Sequence, residues 1–139
     1  MSTIYLDNAA TTKVREEVVS VISSIIKKEY GNPSSTHSYG RSSKSLIESS
    51  RKEIADILNV KSSEIIFTSG GTEGDNMIIR NCVNNLGVSH IITTKIEHHA
   101  VTHTIDDLIR SNNINVSYVK VSKSGHVDLN DLELSLIHI

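Results

Sequence analysis

The chain has 139 residues, a formal net charge of −2 and an apolar fraction of 37%. That length suits one domain and that apolar content a soluble core, while the near-neutral charge removes any electrostatic case for nucleic acid or an anionic membrane. A single cysteine, Cys82, excludes an internal disulfide framework, and no stretch approaches the roughly 20 apolar residues of a membrane span. "MSTIYLDNAATT" (1–12) has neither the basic region nor the apolar run of a signal peptide, so we expect a cytoplasmic protein.

In chain order, "IYL" (4–6) reads as a short strand and "DNAATT" (7–12) as a turn. From Val14 to Lys28 the apolar positions Val14, Val18, Val21, Ile22, Ile25 and Ile26 recur at helical spacing and predict a helix with one apolar face. Gly31, Asn32 and Pro33 break it. A second helix is predicted from about Ser43, carrying Leu46, Ile47, Ile54, Ile57 and Leu58, with Asn59 near its end. The rhythm then changes. "EIIFTS" (64–69), "HIITTK" (90–95) and "NVSYVKV" (115–121) read as strands, and "EGDNMIIRNCVNN" (73–85) and "AVTHTIDDLIRS" (100–111) as helices between them. This alternation is the mark of an α/β fold, a mostly parallel sheet flanked by helices.

"FTSGGTEGDN" (67–76) ends a predicted strand and opens a predicted helix. In open α/β sheets ligands lie outside the carboxyl ends of the strands. A helix N-terminus offers unpaired N–H groups and a partial positive charge. Gly70 and Gly71 let an oxygen approach the backbone, and the hydroxyls of Ser69 and Thr72 add donors, a combination that suits phosphate. The other reading, a tight turn with Glu73 and Asp75 favouring the first helical turn, stays open. The segment is neither a P-loop nor a G-x-G-x-x-G turn.

His98 falls just past the strand predicted at 90–95, on the same sheet edge. A phosphate on one loop and a flat ring beside this imidazole describe a phosphorylated aromatic ligand. A cap on the following helix is the alternative role for His98. His99 and His103, four apart, share a helix face as zinc ligands do, but Ala100 stands where the usual motif has Glu, and no metal is expected. Cys82 lies mid-helix and reads as a packed residue rather than a nucleophile.

"YLDNAATT" (5–12), "GNPSSTHSYGR" (31–41), "FTSGGTEGDN" (67–76) and "EHHAV" (97–101) together resemble, in order and spacing, the cysteine desulfurases. These are fold-type I, class-V aminotransferase-like enzymes that use pyridoxal 5′-phosphate. The resemblance runs from Ile4 to about Glu133. It implies an N-terminal segment, 1–13, that lines the active site, and an incomplete large cofactor-binding domain over 14–133. "LSLIHI" (134–139) does not continue the pattern, and we expect a non-native tail on a truncated frame.

The resemblance implies that Gly71 and Thr72 hold the cofactor phosphate and that His98 stacks on the pyridine ring and takes part in proton transfer. It implies that Asn8 and Ala10 line the substrate side, and that Asn32, Ser34, His37 and Arg41 stand near the active-site entrance, close to a homodimer contact. The implied reaction converts L-cysteine to L-alanine and leaves the sulfur as an enzyme persulfide. Sulfur-acceptor or scaffold proteins then carry it to iron–sulfur clusters or tRNA thiolation.

Three requirements of that chemistry are missing from these residues: the lysine of a "Ser-x-His-Lys" stretch, the acid that pairs with the pyridine nitrogen, and the nucleophilic cysteine. The 139 residues alone are therefore expected to be inactive and to leave an unpaired sheet edge and exposed apolar faces. The alternatives are a relative acting on selenocysteine or cysteine sulfinate, a non-catalytic phosphate-binding module, or a zinc protein built on the histidines.

Overall fold

A computed structural model describes residues 3–112 and 114–137, the side chain of Asn112 excepted, in two units, Met1–Ile66 and Phe67–Ile139. The first unit holds helices α1 (Glu16–Lys28) and α2 (Ser38–Leu58) and a short 3-10 turn at Ser62–Glu64. The charges of α1 complement its dipole, with Glu16 and Glu17 in the first turn and Lys27 and Lys28 in the last. The apolar spacing does form a helix, but α1 has no buried residue, and Ile26 is 71% exposed.

α2 begins at Ser38, five residues before the sequence expectation, because His37 caps it: its Nδ1 accepts the Gly40 N–H at 3.3 Å. The loop ahead of the cap is braced from within. Asn32 Oδ1 accepts the Ser34 N–H and its carbonyl accepts the Ser35 N–H, each at 2.9 Å. The Arg41 guanidinium donates to the Thr36 carbonyl. The loop closes only because Gly40 has no side chain. A Cβ there would stand 2.4 Å from the Ser35 carbonyl oxygen and 2.6 Å from that of Asn32. α2 ends on Asn59, whose φ of 55° and ψ of 46° are the left-handed cap that Asn tolerates.

The second unit runs α3 (Gly71–Asn84), β1 (His90–Thr93), α4 (His99–Asn112), β2 (Asn115–Tyr118) and α5 (Leu129–Ile137). β1 and β2 pair in parallel, from His90 opposite Asn115 to Thr93 opposite Tyr118, with α4 as the crossover that a parallel pair requires. Val83 of α3, Leu108 of α4 and Ile114 form a buried cluster, against which Ile79, Ile91 and Val116 pack. This is the expected fold class, a parallel sheet flanked by helices.

Two predicted strands do not form. Residues 4–6 and 64–69 make no ladder, and Leu6 is 88% and Ile66 64% exposed. β-branched composition supplies only a preference; a strand needs a neighbour to pair its backbone groups, and the sheet of the described residues has two strands. β2 is also shorter than 115–121: Val121 instead makes a single antiparallel bridge with Val127.

α5, which the hydrophobic rhythm missed, passes through the boundary placed at 134 and is described as far as Ile137, while 138–139, like 1–2, lie outside the described residues. Its signal was Asp128, whose Oδ1 accepts the N–H groups of Asn130 and Asp131 at 3.0 and 3.1 Å.

Gly40→Ala forces a Cβ against two carbonyl oxygens, and we expect a loss of about 1–3 kcal/mol in urea denaturation. An unchanged midpoint would contradict the close approach.

Candidate functional site

The N-terminus of α3 is open. Its ladder starts with the Gly74 N–H donating to the Gly70 carbonyl at 3.1 Å. The N–H groups of Gly71, Thr72 and Glu73 precede that ladder and have no acceptor among the described residues. A Cβ built on Gly70 or Gly71 would meet nothing within 4 Å, so neither glycine is there to avoid a clash and both Cα atoms face open space.

Glu73 is engaged by its own loop. Its Oε2 accepts the Ser69 N–H at 2.6 Å and the Ser69 hydroxyl at 2.7 Å. These two bonds, the backbone one first, hold its carboxyl below the usual carboxylate range. The Ser69 hydroxyl, expected as a donor to an anion, is thus committed to Glu73. The Thr72 hydroxyl is not so committed.

The loop after β1 brings up the second half. Thr94, buried, donates its hydroxyl to Glu97 Oε1 at 3.1 Å and accepts the Ile96 N–H at 3.4 Å. His98 then caps α4: its Nδ1 accepts the Ala100 N–H at 3.1 Å, and its carbonyl accepts the N–H groups of Val101 and Thr102. The capping role considered for His98 is therefore real, and it does not use up the ring. A cavity of about 320 Å³, at the small end for ligand sites, is lined by Thr72, Asn76 and Arg80 of α3 together with His98, His103 and Thr104.

Asn76 is the residue to which the sequence reading gave no role. Its Nδ2 donates to the Thr72 carbonyl at 2.9 Å and to the Ala100 carbonyl at 3.3 Å. Its Oδ1 accepts the Thr104 hydroxyl at 2.6 Å and Arg80 Nε at 3.4 Å. Arg80 in turn pairs with Asp107 of α4 at 2.7 Å. A carboxamide one turn inside the glycine loop was the available signal, since mid-helix Asn is disfavoured unless its side chain has work to do.

Of the residues singled out from sequence, Gly71, Thr72 and His98 belong to the second unit, and Thr72 and His98 meet on the cavity. Asn8, Ala10, Asn32 and His37 belong to the first. Asn8 and Ala10 lie in an exposed turn, where the Ala10 N–H donates to the Asp7 carbonyl at 3.1 Å, and Asn32 and His37 serve their own loop and cap. His99 and His103 do share a helix face, their rings stacked at 4.9 Å. No three His, Cys, Asp or Glu side chains converge as metal ligands among the described residues. Cys82 is half-buried on α3.

Among known proteins, the class-V aminotransferase family matches residues 4–138. The chain belongs to that family. It is 44% identical over 138 residues to the cysteine desulfurase IscS of Dictyoglomus turgidum, covering 96% of this chain and 34% of that protein. It is 42% identical to the putative cysteine desulfurase IscS 1 of Bacillus subtilis, covering 98% of this chain and 36% of that one. Among solved structures, a NifS-like protein aligns with a TM-score of 0.83 at 37% identity, over 91% of this chain and 35% of its own. The structure of SspA in complex with cysteine aligns with a TM-score of 0.83 at 32% identity, over 96% of this chain and 39% of its own. The chain therefore spans about a third of the length of these relatives. Among the described residues no helix is long and apolar enough to cross a membrane.

A group whose folded pKa is lowered stabilises above its unfolded pKa and loses that contribution as pH falls through the folded value. The Ser69 amide resonance is therefore expected to titrate with a midpoint below the roughly pH 4.3 of free Glu, and to stop titrating in Glu73→Gln. A midpoint at or above that of free Glu would contradict the bonds to Ser69.

Proposed function

We propose that this chain supplies the phosphate cradle and the ring-facing histidine of a pyridoxal-phosphate-dependent cysteine desulfurase. The observation that carries the reading is that Thr72, in the open first turn of α3, and His98 line one cavity. The residues fit the cofactor: three unpaired N–H groups and the Thr72 hydroxyl suit a phosphate, and the imidazole suits a flat ring. Likeness to proteins named cysteine desulfurase supports the choice of reaction.

When bound, pyridoxal phosphate supplies an electron sink for bond breaking at the amino-acid carbon. The remaining roles belong to this chain. The α3 amides fix the phosphate end, and Thr72 adds a donor to it. His98 would offer its imidazole to the flat ring. Because its Nδ1 accepts from Ala100, the neutral imidazole carries its proton on Nε2, the nitrogen left to hold or release a proton. The lysine and the cysteine nucleophile belong to the whole protein, as does transfer of the sulfur from L-cysteine to an acceptor.

Pyridoxal 5′-phosphate is expected to bind the 139-residue chain at least about tenfold more tightly than pyridoxal, because a charge-assisted phosphate contact exceeds 1.4 kcal/mol. Thr72→Val is expected to weaken it about two- to tenfold. Equal affinity for the two compounds in a fluorescence titration would sink the phosphate assignment.

In the full-length protein, His98→Ala is expected to lower alanine formation from L-cysteine about 10²- to 10⁴-fold, while the 139 residues alone form none. An unchanged rate in that variant would remove His98 from the chemistry.

A further inference from the structure

We infer that Asn76 is a positioning residue that sets the His98 ring relative to the phosphate cradle, through one short chain of hydrogen bonds. The inference rests on the reading of the cavity given above. Asn76 lies one turn behind Thr72 on α3 and holds the Thr72 carbonyl with Nδ2 at 2.9 Å. The same Nδ2 crosses to the Ala100 carbonyl on α4. The opposite side of that residue, the Ala100 N–H, is the group that fixes His98 Nδ1 at 3.1 Å. Ala100 is therefore held from both ends, by Asn76 on its carbonyl and by His98 on its amide.

Ala100 is 5% exposed and Thr104 3%, so water cannot readily replace these bonds. Thr104 has one hydroxyl hydrogen and two acceptors in reach, Asn76 Oδ1 at 2.6 Å and the Ala100 carbonyl at 2.8 Å. Either choice keeps Asn76, Ala100 and Thr104 in one closed ring of contacts. The carboxamide is needed because the position must donate and accept at once. Asp cannot donate to two carbonyls, and Leu can do neither.

The test compares Asn76→Ala with Val83→Ala, which weakens the core away from the site, in the 139-residue chain. Without ligand, Asn76→Ala is expected to move the backbone resonance of Thr72 and the ring resonances of His98, and Val83→Ala to leave both in place. With ligand, inorganic phosphate reads the cradle alone and pyridoxal 5′-phosphate reads cradle and ring together. Asn76→Ala is expected to keep phosphate affinity within about twofold and to lose about tenfold for pyridoxal 5′-phosphate.

A parallel loss for both probes would overturn the proposal, since it would mean general loosening of α3. So would unmoved His98 resonances. If the parent chain binds neither probe, the reading of the cavity fails, and the resonance comparison still decides whether Asn76 positions His98. Should Asn76→Ala fail to fold, Thr104→Val removes one bond of the ring at nearly constant shape, and the same selective shift is expected at smaller size.

Discussion

The carboxamide of Asn76 is the joint on which the rest of the site depends. Two helices, α3 and α4, each bring one chemically useful feature near its start: open backbone amides on α3, an imidazole at the cap of α4. Neither feature has value alone, since helix N-termini and capping side chains are common. The apolar cluster of Val83, Leu108 and Ile114 brings the helices together but has no direction of its own. Hydrogen bonds are directional, and the set from Asn76 to Thr72, Ala100 and Thr104 fixes how the two helix starts face each other. The Arg80–Asp107 pair adds a second tie farther along; about 40% of each side chain or more is exposed, so it contributes little stability and mainly helps orientation.

Much of this was legible in the sequence because it depends on local patterns. The glycine pair before a helix, the period of α3 and α4, and the place of His98 just beyond a strand can all be read from a short window. The α2 start was misplaced because His is an uncommon cap, and α5 was missed because Asp128 precedes a segment with a weak apolar stripe. The segments at 4–6 and 64–69 were misread for a different reason. Their composition favours a strand, but whether one forms depends on a partner at long range. Asn76 was in view as a letter of the motif, yet its role lies in bonds to residues 24 and 28 positions away. No local rule reaches that far.

The same distinction explains the uneven burial. Helix α1 has the spacing of a packed helix but no fully buried residue, and among the described residues the sheet has two strands in a class of fold built on larger ones. Ile105 and Leu108, by contrast, are only 1% exposed, because the strand–helix–strand unit around α4 closes on itself. The chain spans about a third of its relatives' length, and its two largest fully buried side chains, Ile105 and Leu108, lie in the unit that holds the cavity.

The central claim is that one ligand occupies both halves of the cavity at once. A crystal structure of the chain grown with pyridoxal 5′-phosphate tests it most directly. The account predicts phosphate oxygens within hydrogen-bond distance of the amides of Gly71, Thr72 and Glu73, with the pyridine ring lying against the His98 imidazole. A cofactor held elsewhere, or one whose phosphate points away from α3, would contradict it.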